Sequence, residues 1–382
     1  MKQDMPVIQP ASNPVSPPVS KPTSRSRFHG CLLGGAVGDA LGAPVEFMTH
    51  AEILERFGAG GITEYAPAYG GVGTITDDTQ MTLFTAEGLL RAWVRGVSSY
   101  PDAVARAYLR WLHTQGIRPA WHADLILAEP GWLCQQAALH SRRAPGNTCL
   151  SALEAMMKLG EPARNGSKGC GGVMRVAPAG LFAWRHPDQR SPRHAFDLGT
   201  ALAALTHGHP TGSLTGGVLA ALVHELADGA TLPDALRTAK ACLAARPDHE
   251  ETLLAIMHAE QLAGSGVAHE DAIARLGEGW VAEEALAISL YCSLVARDFR
   301  HGVVVAVNHD GDSDSTGAIT GNLLGAMYGE EAIPREWLAP LELREVIAEL
   351  ADDLNSFPTW GVNMDSGNEA SAGRIGSKYP GF

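Results

Sequence analysis

Gly30, Gly34, Gly38 and Gly42 recur at every fourth position, and Gly317, Gly321, Gly325 and Gly329 repeat that interval near the other end of the 382-residue chain. On an α-helix the interval keeps residues on one face, so each set would draw a stripe bare of side chains. A glycine inside a helix costs about 1 kcal/mol relative to alanine. Eight in register therefore predict two central helices packed face to face, with the acidic residues beside them brought together. Glycine-rich loops are the alternative, and the apolar residues between the glycines argue against it. Asp39, inside the first stripe, excludes a membrane dimer motif.

Ala- and Leu-rich segments such as 79–95, 102–113, 213–227, 233–245, 281–297 and 341–354 carry apolar residues at three- and four-residue spacing. The best strand candidate, Val303 to Val307, is too short to be told from buried helix by periodicity. The expected body is one all-α domain over residues 28–382, and a composition of 45% hydrophobic residues supplies its core. A net charge of -13, from 29 basic and 42 acidic residues, excludes nucleic acid and anionic membrane as general partners. Cys31, Cys134, Cys149, Cys170, Cys242 and Cys292 stand singly, which predicts free thiols in a reducing compartment. With no apolar leader and no run long enough to span a bilayer, the expectation is a soluble, cytoplasmic protein.

Residues 1–27 read differently. Pro6, Pro10, Pro14, Pro17, Pro18 and Pro22 lie among serines, with Lys2, Lys21, Arg25 and Arg27 against Asp4 and no aromatic residue. Such a segment buries too little to offset its ordering entropy, so a disordered basic arm over 1–27 is expected.

Two acidic motifs carry the chemistry. Thr76, Asp77, Asp78 and Thr79 precede one helical run, and Asp312, Ser313, Asp314, Ser315 and Thr316 precede another. Either could be ordinary helix-start chemistry, a hydroxyl or carboxylate cap with acidic residues in the first turn. Together they say more. Four carboxylates meeting at two helix N-termini would repel one another without a highly charged cation between them, and an all-oxygen set suits Mg²⁺ or Mn²⁺ rather than zinc. Two ions fit that ligand number better than one. An EF-hand is set aside, because Ser315 stands where its loop needs glycine and Gly321 where it needs glutamate. A third motif, Asn165, Gly166, Ser167, Lys168, Gly169, Cys170, Gly171 and Gly172, is glycine-rich enough to aim backbone N–H groups at an anion. Cys170 as a nucleophile has no partner identifiable from spacing.

Gly38 to Gly42 with Glu46 and Phe47, Thr76 to Thr79, and Gly311 to Ser315 stand in the order and register of the ADP-ribosylglycohydrolase family, a resemblance running from about Phe28 to Tyr328. The resemblance implies an all-α fold and a binuclear Mg²⁺ or Mn²⁺ centre at helix N-termini, with Thr76, Asp77, Asp78, Asp312, Asp314 and Ser315 as ligands. It makes Glu46 the general acid or base, or the group that places the attacking water, and counts Asp77 and Asp78 with the catalytic group. It makes Gly166, Ser167, Lys168, Gly169 and Cys170 part of a diphosphate loop, although Lys168 and Cys170 replace the tyrosine and asparagine of some relatives. Asn147 and His207 are implied contacts of ADP-ribose. Ala144 stands where the nitrogen-fixation branch has an acidic residue, so that branch's substrate does not transfer directly.

The implied reaction is hydrolysis at the anomeric carbon of the distal ribose, on arginine-linked ADP-ribose first and serine-linked as the near alternative. The implied substrate is an ADP-ribosylated protein. A haloacid dehalogenase-type phosphatase, faintly suggested by Val303 to Val307 followed by Asp310, Asp312 and Asp314, needs a parallel sheet that the chain does not offer. A binding protein that acts by occlusion is the other class. It connects with a role implied for some bacterial relatives, immunity to an ADP-ribosyltransferase toxin, in which the arm with Lys21, Arg25 and Arg27 would occupy the toxin's acidic cleft.

Overall fold

The structure, a computed structural model, describes residues 21–118, 124, 128–361 and 369–380. Among them its regular structure is all helix, with two isolated β-bridges and no strand. Val303 to Val307 belong to the helix Phe299–Val307, whose start is set by Asp298: its carboxylate accepts the His301 N–H at 2.7 Å.

The two glycine stripes meet. A Cβ placed on Gly38 would stand 1.9 Å from the Gly317 carbonyl oxygen, one on Gly34 2.5 Å from that of Gly321, and one on Gly325 1.8 Å from that of Gly30. One set rises in number as the other falls, so the helices Ser24–Gly42 and Ser313–Tyr328 run antiparallel. Both are buried on almost every side. Gly329 departs from the expected stripe. With φ +81° it ends its helix, in a conformation that glycine adopts without strain. Around this pair pack Arg344–Ser356 against the first helix and Ala282–Val295 against the second; Pro192–Ala204 lies on Pro210–Asp228, and Tyr100–Thr114 on Asp77–Arg95.

The disordered arm expected over 1–27 does not extend to residue 27. The first helix starts at Ser24, capped by the Thr23 hydroxyl on the Ser26 N–H at 3.1 Å. Arg27 is buried and donates to the carbonyls of Leu226, Ala326 and Met327 at 3.1, 2.9 and 2.8 Å, a cation placed on two helix C-termini. Arg25 reaches Asp352 with both arms of its guanidinium, at 2.6 and 2.9 Å. Residues 24–27 are therefore part of the folded body, and residues 1–20 of the expected arm lie outside the described residues.

Candidate active site

Because the glycine helices are antiparallel, the C-terminal end of the first lies beside the N-terminus of the second, and the site is built there. Asp39, fully buried on the first helix, accepts the Thr76 N–H at 3.0 Å, the Thr79 N–H at 3.1 Å and the Thr79 hydroxyl at 2.5 Å. Those bonds seat the N-terminus of Asp77–Arg95 against the first helix and bring Asp77 and Asp78 to the carboxylates of the second motif. Sequence reasoning gave Asp39 no such role. Its partners are 37 and 40 positions away, and no local pattern marks them.

The capping chemistry is present as well. The Thr76 hydroxyl accepts the Asp78 N–H at 3.4 Å, and Asp312 caps its helix by accepting the Ser315 N–H at 3.2 Å. Capping does not account for the burial. Asp77, Asp78, Asp312 and Asp314 are all buried in a pocket of about 540 Å³ that also takes in Glu46, Ser315, Asn147, Gly169, Cys170 and His207. Desolvation first, and neighbouring carboxylates after it, hold Asp77, Asp78 and Asp314 well above the usual carboxylate range. Burial, then Asp312 and Asp77, push Glu46 up to about 9. Asp39 rises to about 6 through burial, its hydrogen bonds pulling the other way.

Glu46 sits on the connection between the first helix and His50–Phe57, flanked by two aromatic contacts. Tyr69 donates its hydroxyl to Glu46 Oε2 at 3.4 Å, from a backbone with φ +49° that an aromatic residue rarely adopts. Next to Glu46, Phe47 is 70% exposed and stacks on Trp280 with ring centroids 5.9 Å apart. Neither Tyr69 nor Trp280 was expected at the site.

The glycine loop is only partly where sequence placed it. Gly169 and Cys170 line the pocket, and the Cys170 thiol donates to Asp312 Oδ2 at 2.8 Å. Gly166, Ser167 and Lys168 do not line it. The Ser167 hydroxyl is instead 3.0 Å from that of Thr148, and the Lys168 ammonium is held by Glu251 and Glu283, so its charge is neutralised away from the pocket. The loop is tied to the next helix start: the Cys170 N–H reaches the Trp280 carbonyl at 3.2 Å and the Ala282 N–H the Lys168 carbonyl at 2.8 Å. Its glycines also make room for His207, since a Cβ on Gly171 would stand 3.1 Å from the ring. Arg142 is the cation sequence reasoning missed. It is exposed and lines the pocket, whereas its neighbour Arg143 is engaged by Glu342 and by the Ile75 carbonyl.

An open cleft of this size, lined by carboxylates and by part of a glycine loop, suits an enzyme acting on a polar ligand. A family model described as ADP-ribosylglycohydrolase matches residues 20–362, and the chain belongs to that family. It is thus an enzyme that hydrolyses a glycosidic bond of ADP-ribose. It is 30% identical to the ADP-ribosyl-(dinitrogen reductase) glycohydrolase of Rhodospirillum rubrum, over 82% of this chain and 90% of that protein. It is 24% identical to the ADP-ribosylarginine hydrolase Tri1 of Pseudomonas putida, over 85% of this chain and 76% of that protein. A solved structure titled ADP-ribosylglycohydrolase-related protein complex superposes with a TM-score of 0.64 at 30% identity, covering 87% of this chain and 98% of that one. Among the described residues no helix is long and apolar enough to cross a membrane.

Proposed function

We propose that the enzyme removes ADP-ribose from arginine side chains of modified proteins at a site holding two Mg²⁺ or Mn²⁺ ions. The observation that carries the metal reading is the concentration of carboxylates: four aspartates buried in one pocket with Glu46, and Asp78 Oδ1 without a hydrogen-bond partner among the described residues. An orphaned buried carboxylate oxygen is costly unless a cation meets it. As the side chains stand, no three His, Cys, Asp or Glu residues among those described enclose an ion, so the fit rests on the all-oxygen donor set and its uncompensated charge. Thr76, Asp77, Asp78, Asp312, Asp314 and Ser315 would hold the ions, which when bound orient ribose hydroxyls and offset charge.

The chain's own groups do the rest. In the metal-free site burial, then Asp312 and Asp77, favour a proton on Glu46, which stands at the carboxylate floor. From there it can pass that proton to the departing acceptor atom, or once ionised orient the water that attacks the anomeric carbon. Asn147 and the glycine loop hold the remote part of the substrate, so that binding energy there places the reacting end. Arginine is favoured because a relative bears the name of an ADP-ribosylarginine hydrolase; serine-linked ADP-ribose is the competing substrate.

The test is release of free ADP-ribose from arginine-, serine- and aspartate-linked substrates with Mg²⁺, Mn²⁺ or chelator. Fastest release from the arginine linkage, abolished by chelator, is expected; undiminished release in chelator would overturn the metal reading, and faster release from serine the arginine one. Glu46→Gln is expected to keep ADP-ribose affinity while losing about 10²–10⁴ in rate. Engagement of an ADP-ribosyltransferase toxin, if it belongs to this chain, falls to residues 1–20 with Lys21, since Arg25 and Arg27 are committed within the fold.

A further inference from the structure

The pocket's histidine is wired to a buried cation. Arg175 is fully buried, its guanidinium 4.3 Å above the Tyr108 ring, and among the described residues its hydrogen bonds go to Met81, Cys149, Leu202 and Thr206 rather than to a carboxylate. A buried charge without a counter-charge is expensive, and here it is spent on neutral acceptors. The strongest of these is Thr206: Arg175 Nη2 donates to its Oγ1 at 2.6 Å. The same Oγ1 lies 2.8 Å from His207 Nδ1.

A threonine hydroxyl has one proton to give. With a lone pair engaged by a guanidinium, the hydroxyl is polarised as a donor, and its proton goes to the best acceptor in reach. Imidazole Nδ1 is a far stronger acceptor than the neighbouring sulfur of Cys149. His207 is then the tautomer that carries its proton on Nε2. That nitrogen faces the glycine loop, where a Cβ on Gly169 or Gly171 would stand 3.4 or 3.5 Å away. Burial, and then the charge of Arg175, drive the imidazole down to about 3, so the ring stays neutral.

We propose that Arg175 and Thr206 are positioning residues that lock His207 as an Nε2–H donor aimed past Gly169 and Gly171 at an oxygen of the bound substrate. This rests on the reading that the pocket takes ADP-ribose, and it adds the direction of a hydrogen bond that the substrate must accept. A ligand whose matching atom can only donate is disfavoured at that point.

The experiment is a long-range ¹H–¹⁵N spectrum of ¹⁵N-histidine-labelled protein, with His207 assigned by its loss in His207→Gln. The expected result for ligand-free protein is a proton on Nε2 and none on Nδ1. Thr206→Val should lose that fixed pattern and weaken ADP-ribose binding about tenfold, the order of one hydrogen bond to a charged group, and Thr206→Ser should restore both. An equal loss for ADP places the accepting oxygen on the diphosphate, and a loss confined to ADP-ribose places it on the distal ribose. A proton found on Nδ1 of the wild-type ring, or a normal spectrum and affinity in Thr206→Val, overturns the proposal. The tautomer is read without ligand, so it stands or falls separately from ADP-ribose recognition, which fails only if the wild type does not bind ADP-ribose.

Discussion

Two groups of buried charge lie on the helix Asp77–Arg95, and they are built on opposite principles. Near its middle, Glu87 is fully buried and accepts from Arg91 at 3.0 Å and from Arg110 at 2.9 and 3.2 Å. At its N-terminus, Asp77 and Asp78 are equally buried but face Asp312, Asp314 and Glu46, groups of their own sign. In the first cluster both carboxylate oxygens of Glu87 meet a guanidinium, although Arg91 Nε has no partner among the described residues. The second is incomplete without something positive, and that incompleteness marks it as the site. Burial alone does not distinguish function from structure; the sign of the neighbours does.

The sharpest test of this contrast is to remove one carboxylate from each cluster. Asp78→Asn is expected to lower hydrolysis by more than about 100-fold, since even residues that only support metal ligands cost up to that much, while the unfolding midpoint of metal-free protein holds or rises. If turnover and metal content stayed near wild type, the paired motifs would be helix caps and nothing more. Glu87→Gln is expected to do the reverse. It strands two buried guanidinium groups at a cost of about 3–5 kcal/mol, read by denaturant titration, with activity per folded molecule little changed.

A smaller effect comes from pH. Glu46 and Asp39 have folded values raised from 4.5 to about 9 and from 3.8 to about 6, so each binds its proton more tightly folded than unfolded. Their contribution is full below the ordinary carboxylate range and is lost as pH rises through about 6 for Asp39 and about 9 for Glu46. In chelator the melting temperature should therefore fall from pH 5 to pH 9, and saturating Mg²⁺ or Mn²⁺ should flatten the slope. A melting temperature that climbs with pH in chelator would mean the carboxylates already have cationic partners, as Glu87 does. The smallest expected effect is at Arg142, the cation at the mouth of an otherwise acidic pocket. Arg142→Ala should weaken ADP-ribose about tenfold and adenosine hardly at all, the loss of one charge-assisted bond to a diphosphate. Equal weakening of both ligands, measured by calorimetry, would assign Arg142 to general packing.

What was legible in sequence was whatever repeats or clusters along the chain. The four-residue glycine period implied its own partner, because a run of helical glycines is too costly unless another backbone fills the space. The paired acidic motifs announced charge that had to be neutralised, and Asp77, Asp78, Asp312 and Asp314 do share one pocket. A composition averaged over a window hides single residues. The Pro- and Ser-rich composition of 1–27 concealed that Arg27 caps two helices, and the glycine loop's composition concealed that Lys168 turns toward Glu251 and Glu283.

The sequence by itself determined the helical class, the pair of glycine stripes that organises it and the two clusters of acidic residues, because periodicity and charge are local properties of a chain. Tertiary structure alone decided which of the remaining groups serve the site. Asp39 reaches across 37 residues to seat a helix, Tyr69 comes to Glu46 on a strained turn, and Arg175 acts on His207 through a hydroxyl 31 positions away. Such assignments depend on distances of about 3 Å between segments far apart in the chain. Hydrogen-bond direction and desolvation are set at that range, and no pattern in the linear order encodes it.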